Sequence, residues 1–104
     1  MKAMSLKSIK KYLPEMRRKG VSVVARSPRG FLTAYARAGG RLANLTEWWR
    51  NRRLGFIKRH MAQVRKRREK LWKGGKPSRR ALALIAWAYM PMGGKKNKGG
   101  ATNG

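Results

Sequence analysis

His60 is the only imidazole in this chain, Glu15, Glu47 and Glu69 are its only acidic side chains, and Asp and Cys are absent. Hydrolytic or acid–base catalysis calls for two carboxylates, or for a histidine oriented by an acid, at hydrogen-bond reach. The three glutamates lie on separate segments, and no acid stands at helical spacing from His60. One imidazole without Cys or Asp does not make a metal site either. The glycines complete no phosphate loop, because Gly93-Gly94-Lys95-Lys96 lacks the strand and helix that such a loop needs. Zinc-finger spacing and the aromatic pattern of RNA-recognition sheets are missing too. We therefore expect no enzyme, no cofactor and no metal. His60 reads as a packed residue that could also reach a phosphate from a helix edge. The acids read as helix partners, Glu47 three residues before Arg50 and Glu69 four before Lys73.

The chemistry that remains is cationic. Twenty-eight lysines and arginines against three acids leave a formal charge of +25 on 104 residues. A folded surface so positive repels itself and gains stability when anions surround it, so a polyanion is the expected partner. The expected contacts are Arg50, Arg52, Arg53, Lys58, Arg59, Arg65, Lys66, Arg67, Arg68, Lys70 and Lys73 on one long segment, with Arg79 and Arg80 at the head of the next. These would grip phosphates, the arginines in bidentate fashion. Trp48, toward the basic side, could stack on a base or sugar, and packing is its competing role. A charge run is ordinarily a solvated face; the near absence of acids argues against that here. Asn51 and Gln63 are conceivable base readers, yet nothing specifies a helix-turn-helix, so little or no sequence preference is expected.

Those cations need a scaffold, and 41% apolar residues are enough for one modest core. Pro and Gly divide the chain. Leu6, Ile9 and Leu13 at helical spacing predict a short amphipathic arm before Pro14, and Val21 to Ala25 an extended linker. Ser27-Pro28 opens a helix lined by Phe31, Leu32, Tyr35 and Ala38 and stopped by Gly39-Gly40. Asn44 or Thr46, with Glu47 completing a capping box to Asn44, starts one long helix to Trp72, Gly55 notwithstanding. At 3.6 residues per turn its core stripe is Trp49, Phe56, Ile57, His60, Met61, Val64 and Leu71. Arg52, Lys58, Arg59, Arg65, Lys66, Lys70 and Lys73 fall opposite, with Arg53, Arg67 and Arg68 nearer the apolar side.

Ser78 caps a last helix, Arg79 to Met90, whose apolar circumference demands a central position, and Trp72 and Trp87 belong to the core. The Gly/Lys-rich end cannot bury enough surface to order itself. The expectation is all-α: a small three-helix bundle over 27–91, a basic arm over 1–26 and a flexible basic tail over 92–104. No apolar run reaches the roughly 20 residues of a membrane span, and no secretory leader or other targeting segment is expected.

Three stretches, Ser27-Pro28-Arg29-Gly30-Phe31-Leu32-Thr33-Ala34-Tyr35 with Gly39-Gly40, Arg52-Arg53 with Phe56-Ile57-Lys58-Arg59-His60-Met61-Ala62, and Pro77-Ser78-Arg79-Arg80-Ala81-Leu82-Ala83-Leu84-Ile85-Ala86-Trp87-Ala88-Tyr89, resemble small basic proteins of large DNA viruses and phages. The resemblance spans Ser27 to Pro91. It implies a viral setting, with a place inside the particle, and carries over no catalytic residue. The expected function is sequence-nonspecific nucleic-acid binding that neutralises phosphates, with DNA favoured over RNA. Viral structural proteins are further candidate partners, the virion or another nucleic-acid-containing compartment is the expected location, and secretion, a small-molecule substrate and a membrane are not expected. The competing readings are a minor capsid or cement protein, a ribosomal or other ribonucleoprotein component and, from the cationic Ser5–Leu13 segment, a membrane-active peptide.

Overall fold

A computed structural model of the chain describes residues 3–91. The described residues are mostly helical, with five α-helices, one 3-10 turn and a minimal hairpin: α1 (Leu6–Lys10), α2 (Leu13–Lys19), α3 (Phe31–Arg37), the 3-10 turn (Leu42–Asn44), α4 (Glu47–Arg67), β1 (Trp72–Lys73), β2 (Lys76–Pro77) and α5 (Arg79–Ile85). None of these helices is long and apolar enough to cross a membrane. The expected tail, 92–104, lies outside the described residues.

Side-chain caps start three of the helices. The hydroxyls of Ser5, Thr46 and Ser78 accept from the amides of Ser8, Trp49 and Ala81 and so satisfy donors with no partner inside the helix. The α4 cap is thus Thr46; Asn44 lies in the 3-10 turn, where its amide donates to the Ala38 carbonyl. The α3 start also moves. Ser27 to Gly30 is a turn in which the Ser27 hydroxyl bonds the Val24 carbonyl, and Gly30 is the cap residue. Glycine is required there by close approach: a Cβ on Gly30 would lie 2.1 Å from the Val24 oxygen and 2.4 Å from that of Ala25.

Each of four helices ends on a left-handed residue followed by a paired return of two amides. Gly39 plays this part as expected, and Gly20 plays it at the end of α2. Arg68 and Ala88 play it without being glycine, with φ of 53° and 61°. At the first, the Arg68 amide returns to the Arg65 carbonyl and Glu69 to Val64; at the second, Ala88 returns to Ile85 and Tyr89 to Leu84. Both helices are therefore shorter than their hydrophobic patterns indicate: α4 stops at Arg67 rather than Trp72, and α5 at Ile85 rather than Met90. Leu71 and Trp72 still reach the core, but from the chain beyond the helix. There the antiparallel hairpin pairs Trp72 with Pro77 and Lys73 with Lys76 across a two-residue Gly74-Gly75 loop, both glycines at positive φ. That is the geometry of a type I′ turn.

The apolar α5 is central, as its sequence implies, and α2, α4 and β2 all pack on it. The predicted N-terminal arm is not an appendage. Met4, Ile9 and Met16 are buried in the same hydrophobic cluster as Phe31, Ile57 and Leu82. The Met4 amide bonds the Ala88 carbonyl at 2.8 Å, and the buried Tyr35 hydroxyl donates to the Met4 carbonyl at 2.7 Å. The predicted linker at Val21–Ala25 is a series of turns whose ends, Val21 and Ala25, are buried. An aromatic column, Tyr35, Phe31, Trp87, Phe56 and His60, runs through the molecule with successive centroids 5.4, 4.8, 4.8 and 4.1 Å apart and near-parallel planes. It ties α3, α4 and the end of α5 together.

Candidate nucleic-acid interface

α4 positions most of the predicted site. Ile57 and Val64, seven residues apart, fix its buried side. At 100° per residue, Lys58, Arg59, Arg65 and Lys66 project from the other side, and all four are exposed. None of these four, nor Arg68, makes an ion pair with a described residue. Arg52 and Arg67 flank the row; Arg67 is well exposed and approaches the half-buried Glu69 only at 4.0 Å. Lys70 and Lys73, expected on the helix, stand exposed beyond its end. The hairpin then places Lys73 directly opposite Lys76. Like charges facing each other across strands are unfavourable unless an anion neutralises them. Lys76 was missed by the sequence reading; Gly-Gly between two short extended pairs is the hairpin signal that locates it.

The structure removes one residue from the predicted site and ties down three. Arg53 is a core residue, 1% exposed. Its Nε donates to the Trp87 carbonyl at 2.7 Å and its Nη2 to that of Ala88 at 2.9 Å, the segment where α5 has ended and carbonyls need donors. Burial pulls this guanidinium below the ordinary arginine value, and the neighbouring Tyr35 and Tyr89 act the other way. The correction has a simple cause: Arg53 lies four residues before Ile57 and therefore on the buried side. Arg50 is half-buried and donates to the Leu45 carbonyl. Arg79 is exposed, but its Nη1 donates to the Lys19 carbonyl.

Arg80 is the centre of a polar cluster. Its Nε donates to Glu69 Oε1 at 2.6 Å, its Nη2 to Gln63 Oε1 at 3.1 Å, and its Nη1 lies 2.8 Å from His60 Nδ1. The side chain is only 16% exposed. The hydrogen bond from Arg80 holds the Glu69 carboxyl below the usual carboxylate range. Burial, reinforced by the charges of Arg80 and Arg59, pushes His60 down. A neutral His60 accepts from Arg80 while its ring stacks on Phe56. Gln63, conceived as a base reader, is thus engaged with Arg80. Glu69, expected to pair with Lys73, pairs with Arg80 instead.

Trp48 is 58% exposed, with its ring edge-on to Trp49 and the Arg52 guanidinium 4.6 Å from its centroid. Both partners hold an apolar plate at the solvent-facing start of α4. Below it, Asn51, Arg52, Gly55 and Arg59 line a small cleft of about 170 Å³ whose remaining walls are Phe56 and Trp87. The absent side chain at Gly55 opens this cleft: a Cβ there would come 3.3 Å from Arg59 Nη1. No protein-family model matches the chain, and neither a curated protein nor a solved structure similar to it was found.

Proposed function

We propose that this chain is a non-enzymatic nucleic-acid-binding protein that neutralises backbone phosphate with little regard to sequence, DNA being favoured over RNA. The supporting observation is the exposed row Lys58, Arg59, Arg65 and Lys66, continued by Arg68, Lys70 and the Lys73–Lys76 pair. Folding the chain sets these cations side by side while Glu15 and Glu69 are spent on Arg18 and Arg80. Such a surface is costly to leave unneutralised, and a phosphate backbone supplies anions at close, regular spacing. Trp48 offers a stacking plate beside it. Binding and compacting a genome inside a virus or phage particle is the setting proposed for this activity, with viral structural proteins as further partners.

The test is the salt dependence of binding to duplex DNA of unrelated sequences. With about eight phosphates engaged, log K falls against log salt with a slope of roughly −7, alike for all sequences. Replacing Lys58, Arg59, Arg65 and Lys66 together by glutamine makes that slope shallower by about 3 to 4 and leaves the unfolding midpoint in place. A slope near zero, or a variant that binds like the parent, refutes the proposal. Equal competition by RNA of the same length removes the preference for DNA.

A further inference from the structure

A second feature lies away from the cationic side of α4. Between the N-terminal helices and α3 runs an open groove of about 390 Å³, within the size range of small-ligand sites. One wall is the apolar stripe of α1 and α2, formed by Leu6, Ile9 and Leu13; Leu32 and Ala36, four apart on α3, form the other. Leu6 is seated against the bare α carbon of Gly40, where a Cβ would come within 3.1 Å of it. Ile9 is buried, whereas Ala36 at the opposite lip is exposed.

The rim has one sign of charge. Lys10 and Arg17 stand on the first wall, Arg37 on the second and Arg26 between them, and no acid lines the groove. Arg26 is half-buried and held in place: its Nε and Nη2 both donate to the Val21 carbonyl, at 3.1 and 3.0 Å. Its Nη1 has no hydrogen bond to a described residue. An apolar trough with a fixed guanidinium and three exposed cations at its edge matches an apolar chain that ends in an anion. A second copy of this protein, carrying the same positive charge, does not fit that rim.

We infer that this groove binds a single-chain anionic amphiphile, its alkyl chain along Leu6, Ile9, Leu13 and Leu32 and its head group among Arg17, Arg26 and Arg37. The site is separate from the proposed nucleic-acid surface and does not depend on it. Alkyl burial and head-group pairing are both necessary, because a cationic rim alone would bind any small anion and an apolar trough alone would not select by charge. Nothing in the sequence reveals that the N-terminal stripe meets α3 with a gap left between them.

The probe is dodecanoate, titrated below its micelle concentration into the full-length protein without nucleic acid and followed by calorimetry and by amide shifts. Saturable one-to-one binding is expected, with shifts confined to α1, α2 and α3. Dodecyltrimethylammonium, with the same chain and the opposite head, and acetate, a head without a chain, are expected not to compete. Ala36→Phe, which fills the groove from its exposed lip, weakens binding by about tenfold or more, and the Arg17→Gln, Arg37→Gln double variant does so without touching the apolar walls. Circular dichroism and urea unfolding verify that both remain folded. Binding that does not saturate, that acetate matches, or that both variants retain overturns the assignment. So does binding only to vesicles of anionic lipid, or preference for an acidic amphipathic peptide. DNA affinity is read separately, so a failure here leaves the nucleic-acid reading standing, and the reverse.

Discussion

Arg52 and Arg53 are neighbours on one helix and could hardly be used more differently. Arg52 is exposed, its guanidinium spread over the ring of Trp48. Arg53, 100° further round, is sealed in the core and closes off the carbonyls of Trp87 and Ala88 where α5 ends. The same side chain serves as a surface cation at one position and as a structural cross-link at the next. Only its angle relative to Ile57 and Val64 decides which. Formal charge therefore overstates the charge offered to a partner, and it conceals that one arginine stabilises the fold that displays the others. Arg53 also links three chain segments, since the Ala88 carbonyl it bonds accepts from the Met4 amide as well.

The sharpest way to break this contrast is to truncate both arginines. Arg53→Ala leaves two carbonyls without these donors and a cavity in place of a long side chain. It is expected to cost about 3 to 5 kcal/mol, a large part of the 5 to 15 kcal/mol typical of a domain. Arg52→Ala is expected to shift stability by less than about 0.5 kcal/mol while weakening DNA binding. Urea unfolding of the two variants decides the matter. Equal losses would mean that Arg52 is structural too, and the exposed row would lose one of its two flanking cations.

Arg80 stands between these extremes, and it sharpens the comparison. Arg80→Ala removes charge-assisted bonds to Glu69 and Gln63 and is expected to cost about 1.5 to 3 kcal/mol, with the salt slope of DNA binding unchanged. The cluster also makes stability depend on pH. His60 has a lower pKa in the folded chain than unfolded, so the unfolded state takes up the proton first; stability is complete above about pH 6.5 and declines as pH falls below it. Glu69 is likewise depressed when folded, so its contribution is present near neutrality and is lost as pH falls through the carboxylate range. Unfolding midpoints measured from pH 8 to 2 should therefore fall in two stages. His60→Gln removes the upper stage, and Glu69→Gln diminishes the lower, to which Glu15 contributes through its hydrogen bond with Arg18. A pH-independent midpoint between 8 and 5 would contradict the neutral, Arg80-bonded form of His60.

The helix starts at Thr46 and Ser78 and the stop at Gly39 were legible in the sequence because they are local, whereas the start expected at Ser27-Pro28 falls at Gly30. Thr46, Ser78, Gly20 and Gly39 act as their residue types dictate. The position of α5 at the centre was legible as well, since a helix apolar all round needs cover on several sides. What could not be read is what a residue touches far along the chain. The stripe of Leu6, Ile9 and Leu13 announces an apolar face but not its partners, so a segment integral to the core reads as an arm. Arg53 looks like one more cation until the carbonyls of Trp87 and Ala88, some 35 residues away, are placed above it. The exposed row on α4 needed only helical periodicity, and it appears where that periodicity puts it. The hairpin was legible in principle, through Gly74-Gly75, but a helix extended to Trp72 overran it.

The two stops that periodicity did not foresee supply the finest test of the contrast between buried and displayed groups. Arg68 and Ala88 both adopt the left-handed conformation that costs a non-glycine residue about 1 to 2 kcal/mol, yet their side chains differ in what they offset. Arg68 is exposed, and its charge gains about 0.3 to 1 kcal/mol from the C-terminal end of α4. Ala88 is fully buried, and its methyl gains about 0.8 kcal/mol. After the added unfolded-state freedom of glycine, about 0.5 to 1 kcal/mol, the terms for Arg68→Gly nearly cancel, and stability is expected to stay within about 1 kcal/mol of its starting value. Ala88→Gly should leave it near its starting value or lower it, because a hole replaces the methyl. The first substitution also removes a cation from the displayed row, so the salt slope for DNA should become shallower by about 0.9 while the stability of the fold stays near its starting value. A variant that is as stable as the parent and binds less would show that displaying charge and holding the fold are separate demands on α4. If Arg68→Gly instead loses clearly more than about 1 kcal/mol, Arg68 has a structural partner of the Arg53 kind, and the division between the two sides of the helix has been drawn in the wrong place.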